Sequence, residues 1–241
     1  MTAILSNLQA VNASINNAAL TAQRDVADIL LLAVSKTVPA NMVREAYNLG
    51  QKAFGENFVQ EALDKMQQLS DLPLEWHFIG PIQSNKTRAI AENFSWVHSV
   101  DRLKIAQRLS EQRPDDLPPL NICIQINISG EASKGGVPEA EAITLATGIS
   151  ALPRLKLRGL MAIPAPADDL AGQRKPFAHM RTIFSQLNTA DFKLDTLSMG
   201  MSHDLTAAIL EGATIVRVGT AIFGSRIYNN ENSQHGLSSE K

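Results

Sequence analysis

Residues 29–37 read Ile-Leu-Leu-Leu-Ala-Val-Ser-Lys-Thr, six apolar residues closed by a serine, a lysine and a threonine. The run is far shorter than the roughly 20 residues a membrane helix needs. It is the first of eight short β-branched or apolar runs, the others being 52–57, 76–82, 96–100, 121–129, 156–163, 195–201 and 214–223. Helical periodicity fills the gaps, at 41–49, 58–69, 86–93, 103–112, 139–152, 177–187 and 205–210. Ahead of the first run, Ile4, Leu8, Val11, Ile15 and Ala18 form an i, i+3/i+4 stripe within a helix over 2–24. Eight strands alternating with helices predict an α/β fold, a (β/α)8 TIM barrel entered by one extra N-terminal helix. An open doubly wound sheet also alternates β and α, but no G-x-G-x-x-G follows the first strand.

Working outward, 241 residues suffice for one such barrel, with residues 1–228 as a single domain and a polar, disordered tail at 229–241. Pro39, Pro138 and Pro176 read as helix starts, and the Pro- and Asp-rich stretches 113–119 and 164–176 read as loops within the fold. The 22 Lys+Arg and 24 Asp+Glu leave a formal charge of −2, without the basic surplus that nucleic-acid binding requires. The lone Cys123 excludes an intrachain disulfide and points to a reducing compartment. The N-terminus lacks a basic flank, so no signal peptide is expected and the protein reads as cytoplasmic, without membrane or nucleic-acid partners.

Chemistry in a barrel collects at the C-terminal ends of the strands. Alternation sets Lys36 on the face of Val34, Leu32 and Leu30. If that face is the interior, a partly desolvated amine stands in the barrel mouth, suited to attack a carbonyl and form a Schiff base. A lysine snorkelling to solvent is the bland alternative. On the last strand Ile215, Arg217 and Gly219 share one face, and a charged Arg217 there needs a partner. Gly219 and Thr220 then open a short apolar segment, with free N–H groups and a hydroxyl suited to phosphate. Ser202, after Gly200-Met201, is placed to donate to the same phosphate or to cap the next helix. Strands one and eight are neighbours in a closed barrel. A phosphorylated aldehyde held as an imine fits this spacing, and pyridoxal 5′-phosphate (PLP) is the common one.

Six stretches extend the pattern: 33–37 (Ala-Val-Ser-Lys-Thr), 54–57 (Phe-Gly-Glu-Asn), 76–86 (Trp-His-Phe-Ile-Gly-Pro-Ile-Gln-Ser-Asn-Lys), 158–162 (Arg-Gly-Leu-Met-Ala), 197–205 (Leu-Ser-Met-Gly-Met-Ser-His-Asp-Leu) and 216–224 (Val-Arg-Val-Gly-Thr-Ala-Ile-Phe-Gly). Together they resemble the pyridoxal phosphate homeostasis protein family across most of the chain. The resemblance implies an alanine-racemase-like barrel in which Lys36 carries the PLP aldimine and Asn57 and Ile79 lie beside the ring. It also implies that Ser202, Gly219 and Thr220 hold the phosphate near Met201, and that Arg217 faces the pyridine nitrogen. The implied role is storage or delivery of PLP, with amino-acid and keto-acid balance. Apo PLP-dependent enzymes are the expected recipients, and the barrel is expected to be a monomer.

Non-catalytic carriage is the expectation. An arginine at the ring nitrogen weakens the ring as an electron sink, although racemases of this fold resemble it in using one. A racemase also needs an acid/base opposite the lysine. Tyr47 falls on a helix and Tyr228 beyond the last strand, leaving His77 as the best substitute. Adjacent Ser202, His203 and Asp204 cannot form a triad, and Asp204 reads as a helix-start residue. Residues 130–136 miss a phosphate loop because 136 is Gly where Lys is required, and Lys134 within them reads as a solvated loop lysine or a secondary amine. No His/Cys group has metal spacing. The alternatives are a slow PLP-dependent racemase or transaminase, and a Schiff-base aldolase using Lys36.

Overall fold

The computed structural model describes residues 2–131, 135–190 and 192–224. Lys134, Tyr228 and the tail 229–241 lie outside them. Eight parallel strands close in chain order into a barrel: β1 (Leu30–Val34), β2 (Ala53–Glu56), β3 (Glu75–Phe78), β4 (Trp96–Val100), β5 (Leu120–Gln125), β6 (Leu155–Met161), β7 (Thr196–Ser198) and β8 (Ile215–Val218). The helices are α1 (Ala3–Thr21), α2 (Ala40–Asn48), α3 (Val59–Gln68), α4 (Thr87–Asn93), α5 (Leu103–Gln112), α6 (Ala142–Ser150), α7 (Leu170–Thr189), α8 (Leu205–Leu210) and α9 (Thr220–Phe223). The TIM-barrel expectation and its extra N-terminal helix stand.

Thr2 caps α1 by accepting from the Leu5 amide, and the predicted stripe is buried against α8 and α9. Burial of each of Ile4, Leu8, Val11 and Ile15 contributes about 1.5–3 kcal/mol. The pleat sorts side chains between two cores. Leu31, Ala33, Val216 and Val218 face the helices in the main cluster. Leu32, Ala53 and Ile215 meet inside the barrel, as do Trp96, Cys123 and Met161. The face carrying Leu32 and Val34 is therefore the interior.

Several expected boundaries move. The strand predicted over 214–223 stops at Val218, because Gly219 turns the chain and residues 220–223 form α9. The strand expected to Ile82 stops at Phe78. Gly80 there presses on Asn57, whose Cα would lie 2.7 Å from a Cβ at position 80. The stretch 164–176 is not all loop, and Pro176 is not a helix start. Asp169 accepts from Gly172 N at 2.7 Å and caps α7, which runs through Pro176. Proline removes one interior N–H and imitates a start signal, so it misplaced this boundary.

Candidate functional site

At the C-terminal ends of the strands lies a cavity of about 520 Å3, within the range of small-ligand sites. Lys36, Asn57, Ile79, Met201, Ser202, Arg217, Gly219 and Thr220 all line it. They come from the ends of β1, β2, β3, β7 and β8, so barrel closure gathers them. His203, weighed in the sequence only as a triad member, also lines it, as do Ile163 and Ala221, which were not singled out as site residues. Only their place beyond the strand ends signals them. Ile163 and Met201 keep apolar surface exposed.

The peptide bearing Lys36 is clamped on both sides. Lys65 of α3 donates from Nζ to the Ser35 carbonyl at 2.6 Å, to Glu56 at 2.6 Å and to Glu61 at 2.8 Å. The Ser35 hydroxyl donates to Glu56 at 2.6 Å, and the Thr37 amide donates to Glu61. Thr37 has φ 63°, a left-handed conformation that a β-branched residue adopts only when its surroundings hold it there. Burial pushes the Glu56 carboxyl above its ordinary range despite Lys65. Lys36 thus stands on an immobilised strand end.

Across the β1–β8 seam, Leu32 pairs in register with Arg217. A Cβ at Gly219 would sit 3.2 Å from the Val34 carbonyl, so glycine lets these two strand ends approach. Beyond it, the Ile222 and Phe223 amides of α9 donate to the Gly219 carbonyl, which leaves the Thr220 and Ala221 amides to face outward from the turn, beside the hydroxyls of Thr220 and Ser202. Asn57 Oδ1 is buried in the wall with no hydrogen-bond partner among the described residues. Arg217 is 4% exposed. It donates to the Ser198 carbonyl at 2.6 Å, to Ser198 Oγ at 2.7 Å and to the Ala162 carbonyl at 2.9 Å. Its partners are neutral oxygens, and burial pulls the guanidinium down to about 10, still a cation near neutrality.

Two roles change. His77 is not an acid facing the cavity. It is fully buried inside the barrel, bonded to Glu75 and His98. Asp204 occupies the position before α8, but its carboxylate accepts from Met201 N at 2.6 Å, bracing the turn that carries Ser202 and His203. Ser129 accepts from Ala165 N and ties down the loop after β6. No group of three or more His, Cys, Asp or Glu among the described residues is arranged to hold a metal. No helix among them is long and apolar enough to cross a membrane.

Residues 6–227 match the family described as alanine racemase, N-terminal domain. The pyridoxal phosphate homeostasis protein of Pseudomonas aeruginosa is 61% identical over 228 residues, covering 95% of this chain and 98% of that protein. The structure of PipY from Synechococcus elongatus with PLP bound aligns with a TM-score of 0.79 at 38% identity, covering 92% of this chain and all of that one. The alanine racemase of Corynebacterium glutamicum aligns at 19% identity with a TM-score of 0.66, covering 96% of this chain but 63% of that one. The last likeness concerns the fold.

Proposed function

The chain belongs to the alanine racemase N-terminal domain family and, within it, to the pyridoxal phosphate homeostasis proteins; from that premise we propose that it binds pyridoxal 5′-phosphate covalently and reversibly at Lys36. Its role in this reading is to buffer the cofactor in the cytoplasm and deliver it to apo-enzymes. The observation that carries the proposal is one cavity lined by an interior lysine, an interior arginine and the Gly219-Thr220 turn.

The residues fit the cofactor. When bound, PLP supplies an aldehyde that condenses with an amine and can be released by water or passed to another amine. The Ser35–Thr37 clamp fixes the origin of the Lys36 side chain. Thr220, Ser202 and the amides of Thr220 and Ala221 would offer donors to a phosphate, while Ile79 and the orphaned Asn57 Oδ1 would border the ring. Arg217 would bring a fixed cation toward the ring nitrogen, and no carboxylate among the described residues lines the cavity to protonate it, which disfavours carbanion chemistry. That supports carriage rather than turnover.

A racemase reading has one observation behind it. Besides Lys36 and Arg217, His203 is the titratable side chain lining the cavity. It predicts α-proton exchange into small amino acids above the rate of free PLP.

The deciding experiment is a visible spectrum of the protein with added PLP, followed by borohydride reduction and peptide mapping. A band, with the reduced adduct on Lys36 and lost in Lys36→Ala, is expected. No band and no adduct would remove the cofactor reading, and an adduct on another lysine would move the site.

A further inference from the structure

Below the cavity the barrel interior carries, beside its apolar clusters, a row of buried polar side chains, where aliphatic ones commonly fill such barrels. Glu75 opens β3 at the end of the barrel opposite the cavity. His77 Nε2 lies 2.6 Å from Glu75 Oε1, and His77 Nδ1 lies 2.9 Å from His98 Nε2. His98 Nδ1 lies 2.8 Å from Ser198 Oγ, which accepts from Arg217 at 2.7 Å. An unbroken chain of hydrogen bonds therefore joins a carboxylate at the barrel floor to the arginine in the cavity wall. The side chain of Glu75 is 47% exposed, whereas both imidazoles are sealed from solvent.

Donor and acceptor inventory fixes the direction of this chain. An ionised Glu75 only accepts, and it also receives a hydrogen bond from Trp96. His77 must then carry its proton on Nε2 and accept at Nδ1. His98 must donate from Nε2 and accept at Nδ1, and the Ser198 hydroxyl must point its proton at His98. The remaining lone pairs of Ser198 Oγ are thereby turned toward Arg217. The reverse direction would set the bare Nε2 of His77 against a carboxylate, two acceptors 2.6 Å apart.

We propose that Glu75, acting through His77, His98 and Ser198, orients Arg217 toward the cofactor ring, so that Glu75, His77 and His98 are positioning residues for PLP. The inference rests on the PLP reading above. Burial lowers both imidazoles, His98 well below the ordinary range, which keeps them neutral relays. The His77 hydrogen bond holds the Glu75 carboxyl below its usual range. Other charges border the chain. Arg158 of β6 stacks 4.6 Å over Trp96, acts on Glu75 and pairs with Asp195 at 2.8 Å. Asp204 and Cys123 act on Arg217.

The test has two readouts. Nitrogen NMR of the ligand-free protein at neutral pH should show both His77 and His98 protonated on Nε2. The visible band of the PLP-loaded protein, titrated with pH, reports the ring environment. In Glu75→Leu the forcing acceptor is lost. His98 should become a mixture of tautomers, and the band midpoint should fall by about half to one pH unit, a threefold to tenfold change, since a negative charge linked to the ring is gone. Glu75→Gln retains an acceptor oxygen at the strand end and should restore both tautomers. His98 protonated on Nδ1 in the wild type, or Glu75→Leu unchanged in either readout, would overturn the inference. Failure of Glu75→Gln to restore the tautomers would do the same. No visible band in the wild type would defeat the PLP reading and this role with it, while the tautomers would still report whether the chain runs as described.

Discussion

Lys65→Met keeps most of the side-chain volume and deletes the ammonium that Glu56, Glu61 and the Ser35 carbonyl share. Glu56, with a side chain at 0% exposure, would keep only the Ser35 hydroxyl, and its Oε2 already lacks a partner. Removing one member of a buried pair costs about 3–5 kcal/mol, because the remaining charge is uncompensated. In a chain of this size 1 kcal/mol moves Tm by about 2–4 °C, so Tm should fall by about 6–20 °C. Glu56 can escape by binding a proton, toward which burial already pushes it, so the loss should be smaller at pH 5.5 than at pH 8. Urea and thermal unfolding by circular dichroism measure both effects. In Lys65→Met/Glu56→Gln no stranded carboxylate remains, and the double variant should be more stable than the two single losses added. A Tm within 2 °C of wild type, or strict additivity, would refute the reasoning.

Histidines kept neutral by burial make folding pH-dependent. Burial holds the folded pKa of His77 and His98 below the ordinary imidazole value of about 6.5. The unfolded chain therefore binds more protons below pH 6.5, and stability rises with pH in that window. Lowering the pH from 7.5 to 5.5 should cost up to about 1.4 kcal/mol per histidine, read by urea denaturation. A flat profile in that window would contradict the buried relay. Cys123, pushed up to about 12 by burial, should resist iodoacetamide at pH 8 in the folded protein and react once unfolded. Gly80→Ala should push the Asn57 backbone out of the cavity wall and weaken PLP binding about tenfold, or ~1.4 kcal/mol, by spectral titration. Unchanged affinity would mean that Asn57 does not border the ring.

Periodicity made the barrel legible. Eight apolar runs and their spacing are local properties, and Ile215, Arg217 and Gly219 share the inward face that simple alternation assigns them. All eight expected site residues line one cavity: seven stand past a strand end, where a barrel leaves side chains free of the next strand, and Arg217 reaches it from within β8. Features that depend on closure were hidden. His77 reads as a candidate acid until β4 brings His98 against it, itself held by Ser198 of β7. Lys65 reads as an ordinary helical lysine, four residues from Glu61, until β2 delivers Glu56 to it. Pro176 misled because a proline signal ignores the capping Asp169 seven residues earlier.

The seam between β1 and β8 has a consequence in time. The strand that leads to Lys36 is among the first the ribosome releases, and the strand bearing Arg217 is among the last. Their pairing is sealed from outside by the first helix, where Asn7 donates to the Ile222 carbonyl at 2.9 Å across 215 residues. Arg24 likewise donates to the carbonyls of Ile209 and Ala213. Contacts of such separation form late, since the intervening chain must be ordered first. A nascent chain halted before β8 owns Lys36 but not the Arg217 and Gly219-Thr220 side of the cavity. If Lys36 carries the cofactor as proposed, loading is confined to finished molecules, and a half-made one offers a reactive aldehyde nothing better than any other lysine.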